Sequence, residues 1–198
     1  MLGPDSPEKI RNIVDDAVRI FSAQIDRDLV VLAEKMDPEI IRLLAEKMAV
    51  LMLSEQVNDT PEVPYISVWL SGKSDISQIY ISPRVVDLLG YSSEEVKKIG
   101  FAELAGDSIV SFYEDRDRFK GKSVPRKKAE RERRKEFLGN RTWKAFYRVK
   151  QKDGGAVWIM DKAVLTKFVN EKGSDVAYVS EGVLLEAEDI MAKIKAGR

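Results

Sequence analysis

The sequence predicts an α+β protein: a five-stranded antiparallel sheet with helices on one face, preceded by an N-terminal helical arm. Three observations predict it. Apolar residues recur at three- and four-residue steps through most of the first 60 positions. Near Tyr65 the texture changes to aromatic and β-branched residues. Close to the C-terminus, three runs of that second kind are joined by two glycine-bearing turns.

The arm reads as two helices. Ser6-Pro7 offers a hydroxyl N-cap and then a proline at the first helical position, where its missing N–H costs nothing. Ile10, Val14, Val18, Phe21, Ile25, Leu29 and Leu32 form one stripe. Asp37-Pro38-Glu39 repeats the start signal, and Ile40, Ile41, Leu43, Leu44, Met48, Leu51 and Met52 carry the second helix. Neither helix can bury its stripe alone. Packing within the chain takes most of it. A second copy is expected to take the rest, because the second helix is apolar on more than one face around Ala49–Leu53. Val14, Val18, Phe21, Ile25, Leu44, Met48 and Leu51 are the candidate dimer and signalling residues. Their steps do not keep a heptad, which argues against a long coiled coil.

Val57–Pro64 is a linker, rich in turn formers. The domains are therefore an arm over 1–60, an α+β domain over 61–187, and a short C-terminal helix or tail over 188–198. Tyr65–Leu70 reads as a strand, Gly72–Asp75 as a turn and Ile76–Ile81 as a second strand. Short helices are expected over Pro83–Leu89, Ser93–Ile99 and near Ala102–Ala105. Gly90 sits where a left-handed C-cap wants glycine, and Ser92 with Glu95 makes a capping box. A longer charged helix is expected over Pro125–Phe137. Strands over Arg141–Lys150, Ala156–Phe168 and Asp175–Leu185 turn at Lys152–Gly155 and Asn170–Gly173. A helix of about 186–195 ends the chain.

Several local motifs resemble the PAS domain, in its sensory-box form. They are Tyr80-Ile-Ser-Pro83, Leu88-Leu89-Gly90-Tyr91-Ser92 with Glu94-Glu95, Glu114-Asp115-Arg116 before a connecting helix, and Tyr147-Arg148-Val149 followed by Lys152-Asp153-Gly154 and Trp158. The resemblance covers about residues 63–186. It implies a non-catalytic sensory and signal-transduction protein that binds a small ligand or a protein partner. Its state would pass on through helix-mediated dimerisation, or to a separate effector. In the family the last strand often ends in Asp-Ile-Thr; here Gly182-Val183-Leu184-Leu185-Glu186 stands instead. By resemblance, ligands lie between sheet and helices, which nominates Tyr80, Leu89, Phe137, Tyr147 and Val179. Strand alternation turns Trp143, Ala145, Tyr147 and Val149 toward that side, with Lys144, Phe146, Arg148 and Lys150 away from it.

Composition narrows the chemistry. The chain has no cysteine and no histidine. Disulfides, thiol nucleophiles, cysteinyl-flavin adducts, histidine-ligated haem and phosphate-accepting histidines all drop out. A non-covalently held flavin, a metabolite or no ligand at all is left, the cofactor is not identified, and no catalytic or metal-binding residue is nominated. Glu114, Asp115 and Asp117 read as helix-capping or salt-bridging carboxylates rather than a cation site, since Arg116 and Arg118 are interleaved. Charge is uneven: residues 1–60 carry 12 acidic and 7 basic side chains, and residues 116–135 carry 11 basic and 3 acidic. Arg126–Lys135 reads as a solvated helix with Glu130, Glu132 and Glu136 as counter-charges. The alternative is a nucleic-acid-binding regulator using that helix, or docking of it to the acidic arm. The longest apolar run, Met48–Leu53, is too short to span a bilayer, and no leader pattern opens the chain. The expectation is a cytoplasmic homodimer with no membrane contact.

Overall fold

The computed structural model describes residues 7–33, 36–70, 76–115, 118–124, 142–169 and 175–196. The chain divides into two units, Met1–Thr60 and Pro61–Arg198.

In the first unit, α1 (Pro7–Ala33) and α2 (Pro38–Val57) pack against each other. Proline opens each helix at a position that needs no donor. Asp37 caps α2, its side chain accepting from Glu39 N at 2.8 Å. Ala17, Ile25, Leu29 and Leu32 of α1 are buried, as are Ile40, Leu44, Met48 and Ala49 of α2.

The second unit holds β1 (Val63–Leu70), β2 (Ser77–Ile81), α3 (Val85–Leu89), α4 (Ser93–Ile99), α5 (Phe101–Leu104), β3 (Ala105–Asp115), β4 (Arg118–Val124), β5 (Thr142–Lys150), β6 (Ala156–Val169), β7 (Asp175–Glu186) and α6 (Glu188–Ala196). All strands join one antiparallel sheet in the order β2-β1-β7-β6-β5-β3-β4. The α+β class, the antiparallel sheet and the helices against it are as the sequence predicts.

Among the described residues the sheet has seven strands rather than five. The extra pair is β3–β4, in the stretch where the sequence suggested an acidic lead-in to a long helix. Ser108-Ile-Val-Ser-Phe-Tyr113 is rich in β-branched and aromatic residues, which is the strand signal that reading passed over. Glu114 and Asp115 therefore end a strand instead of capping a helix. Asp117, the expected helix over Pro125–Phe137, and the expected turns at 72–75 and 170–173 lie outside the described residues.

The main core lies between the sheet and α3–α5. Val85, Leu89, Val96 and Leu104 from the helices meet Val63, Tyr65, Trp69, Trp143, Ala145, Tyr147, Val149, Ile159 and Leu165 from the strands. A second cluster lies on the opposite face: Phe146, Trp158 and Met160 with Ala187 and Met191. Helix α6 thus covers part of the face that points away from α3–α5. Phe146, grouped there with Lys144 and Arg148, is 0 % exposed.

Candidate functional site

The inner face of the sheet carries a small polar set inside an apolar core. Strand parity and register place it. Tyr65 of β1 pairs with Gly182 of β7, Gly182 with Ala163 of β6, and Ala163 with Trp143 of β5. One step along, Val63 pairs with Leu184, Leu184 with Asp161, and Asp161 with Ala145. Gly182 and Ala163 leave a shallow slot in the first of these rows. A Cβ at Gly182 would stand 2.8 Å from Tyr65 Cε1, 2.8 Å from Ala163 Cβ and 2.5 Å from the Lys162 carbonyl oxygen. Through that slot the Tyr65 ring crosses β7, and its hydroxyl donates to Asp161 Oδ1 at 2.6 Å. Asp161 is 1 % exposed, and a buried carboxylate is sustained only by such donors.

Close by, Trp143 Nε1 donates to Tyr147 Oη at 3.2 Å, and Phe101 meets the Tyr147 ring edge-on at 5.8 Å between centroids. Trp69 and Tyr178 stack at 5.6 Å and close one end of the face. Between Trp69 and Tyr65 lies Ser67, 3 % exposed, whose hydroxyl has no hydrogen-bond partner among the described residues. A buried hydroxyl left unmatched costs about 1–3 kcal/mol. Replacing Tyr65 by phenylalanine removes the donor to Asp161 while keeping the ring. That change is expected to lower stability by about 1.5 kcal/mol, read from the urea midpoint. An unchanged midpoint would mean the buried carboxylate does not depend on this bond.

Of the nominated ligand residues, the structure brings Leu89 and Tyr147 together in the inner core. Tyr80 and Val179 stand on the other face. Tyr80 pairs with Ile66 and Val179 with Val68, one residue out of step with the inward Tyr65 and Trp69. An irregularity in register between Ile66 and Ser67 helps to hide this parity from the sequence. Phe137 and the basic stretch Arg126–Lys135 lie outside the described residues. Sequence reasoning missed Tyr65, Ser67, Asp161 and Gly182. Asp161 was legible in principle, because it interrupts the apolar side of Val157, Ile159, Ala163 and Leu165 at an inward position. Among the nominated arm residues, Ile25, Leu44 and Met48 are buried within the chain, whereas Val14, Val18, Phe21 and Leu51 are half-buried.

The motifs behind the family resemblance meet physically. Gly90 ends α3 at φ 76°, a conformation that suits glycine. There the Leu89 carbonyl accepts from Lys152 N at 3.0 Å, and the Leu88 carbonyl accepts from Gln151 Nε2 at 3.2 Å. Ser92 and Glu95 form the capping box of α4. Lys152 Nζ donates to both Glu95 oxygens, at 2.7 and 3.0 Å, and lies 6.0 Å from the Tyr91 ring centre. The β5–β6 turn is thereby clipped to the α3–α4 corner.

The Lys152 hydrogen bond, and then the Ser92 backbone N–H, hold the Glu95 carboxyl below the usual glutamate value. Its ionised form therefore favours the folded state above the unfolded value, and this contribution fades as pH falls through the lowered one. Lys152→Met is expected to lower the urea midpoint at neutral pH, with the gap to the parent closing in acid. A gap that stays constant with pH would show that the clip does not act through this ion pair.

Antiparallel sheet, helical cover and interlocking motifs together give the described residues of the second unit the fold of a PAS-type domain. No protein-family model and no curated protein matches the chain. Solved structures similar to it include an RNA-binding light-oxygen-voltage receptor, at 17% identity and TM-score 0.43, over 73% of this chain and 35% of that one. The match thus spans about a third of that receptor. The PAS domain of a protein from Colwellia psychrerythraea is 16% identical, with TM-score 0.42, over 69% of this chain and 96% of that one. A sensory box histidine kinase/response regulator from Burkholderia thailandensis E264 is 16% identical, with TM-score 0.39, over 74% and 90%. Likeness at this level assigns no ligand or partner.

Among the described residues, no group of three or more histidine, cysteine, aspartate or glutamate side chains is placed to hold a metal ion, and no helix is long and apolar enough to cross a membrane.

Proposed function

We propose that the chain is a non-catalytic sensory module of the cytoplasm. Its PAS-type domain binds a small ligand or a protein partner, and its helical arm dimerises to pass the bound state onward, within the pair or to a separate effector. The observation that carries the reading is the polar set on the helix-covered inner face: Tyr65, Asp161, Trp143 and Tyr147 inside an otherwise apolar core. An apolar surround with a few fixed polar groups is the make-up that suits recognition of a small molecule. One carboxylate among aromatic rings orients a ligand better than it does acid–base chemistry.

The test is native mass spectrometry of freshly purified protein, with an absorbance spectrum and a thermal-shift screen against flavins and small metabolites. A dimer that carries or is stabilised by such a compound is the expected result. A monomer that neither carries nor responds to any of them sinks the proposal.

A further inference from the structure

We propose that the last strand of the sheet, β4, takes up an extended acidic segment of a partner protein as an added strand. The proposal goes beyond the ligand and dimer reading above, since neither the inner face of the sheet nor the arm takes part.

The first observation is topological. Strand β4 stands at the end of the sheet order, with β3 on one side and no strand on the other among the described residues. Every second residue of such a strand turns its backbone N–H and C=O away from the sheet. At the opposite end, β2 carries no charged residue and packs with α4. An incoming peptide backbone completes the β4 ladder in the manner of strand addition.

The second observation is charge at strand spacing. Of the seven residues of β4, Arg118, Lys120 and Lys122 are basic and none is acidic. They stand two apart, so strand parity puts all three on one face. The irregularity in the ladder falls on β3, between Val110 and Tyr113, and leaves that parity intact. Register sets Arg118 opposite Asp115, but Lys120 opposite Tyr113 and Lys122 opposite Val110. Strand β3 thus places no carboxylate directly across from either lysine.

Together these features select the occupant. A second copy, pairing through its own β4, sets basic residues opposite basic residues, and like charges directly opposite destabilise a strand pair. A nucleic acid brings phosphates to the charges, but no row of main-chain donors to the outward carbonyls of β4. A peptide strand with glutamate or aspartate at every second position supplies both. Its edge carries donors and acceptors, and its carboxylates lie on the face of Arg118, Lys120 and Lys122.

The test is fluorescence anisotropy of the full chain with a labelled, capped peptide of alternating glutamate and valine, matched to the seven residues of β4. Binding is expected at low salt and should weaken as salt rises. Two further peptides keep the charge and carry N-methyl groups on alternate amides, one on each set. Each edge of a strand holds every second N–H, so methylation of one set should abolish binding and of the other should spare it. Lys120→Glu with Lys122→Glu should weaken binding about tenfold. The same variant should gain binding of the peptide with lysine in place of glutamate, which also shows that β4 persists in it. Equal binding of both methylated peptides overturns the proposal, because charge alone then holds the peptide. A single-stranded oligonucleotide of equal charge that binds more tightly and displaces the peptide overturns it in favour of nucleic acid. Absence of peptide binding at low salt overturns it outright, and leaves the ligand and dimer reading standing.

Discussion

Truncating Phe146 to alanine is expected to cost about 3–5 kcal/mol, the range for a fully buried aromatic side chain. The ring is 0 % exposed and packs with Trp158 and Met160 under Ala187 and Met191. Its strand neighbours Lys144 and Arg148 face the same side but lie beyond that cover. Helix α6 is fixed there by the backbone as well. Ala187 N donates to the Trp158 carbonyl at 2.8 Å, and Trp158 N donates to Glu188 Oε1 at 2.8 Å. The change should shift the urea midpoint strongly, while Arg148→Ala, on the same face and exposed, should stay within about 0.5 kcal/mol. A small effect at Phe146, matching that control, would mean that α6 does not pack on this face.

Gly182→Ala is expected to cost about 3 kcal/mol, at the upper end for overpacking. The added methyl meets backbone as well as side chain: the Lys162 carbonyl oxygen at 2.5 Å and Ala163 Cβ at 2.8 Å, neither of which can swing away. The third neighbour, Tyr65 Cε1 at 2.8 Å, can move only by leaving the route to Asp161. Two losses are therefore bound together in one substitution. If so, Gly182→Ala and Tyr65→Phe combined should cost less than their sum, because the first already weakens the bond that the second deletes. Strict additivity would separate the slot from the hydrogen bond. Gly106→Ala is the comparison: its Cβ would stand 3.3 Å from the Arg148 carbonyl oxygen, so a much smaller loss is expected.

The contrast between these two sites shows what the sequence could convey. Turns, caps and alternation are local, and Gly90, Ser92, Glu95 and the inward set Trp143, Ala145, Tyr147 and Val149 were readable from neighbouring residues. The β3–β4 hairpin was also locally encoded, but the charges that follow Tyr113 drew attention to a helix. Parity across strands is not local. Tyr80 and Val179 look inward from their own strands, and only the pairing with Ile66 and Val68 turns them out. The Tyr65–Asp161 bond joins residues 96 positions apart and depends on a glycine in a third strand. Nothing in the sequence around any one of the three announces the other two. The face of Phe146 was readable from alternation, but its cover was not, since that arrives from the far end of the chain.

Strand β7 is paired along both sides, with β1 and with β6, and one residue after its end the chain enters α6. Amide hydrogens in such a central strand exchange with solvent only when the whole layer comes apart, while those of a terminal helix exchange by its own detachment. Helix α6 is thus tethered to the last strand to open. It can peel from Phe146 and Trp158 and return without unravelling the ladder that carries it, so deuterium should enter α6 long before it reaches β7.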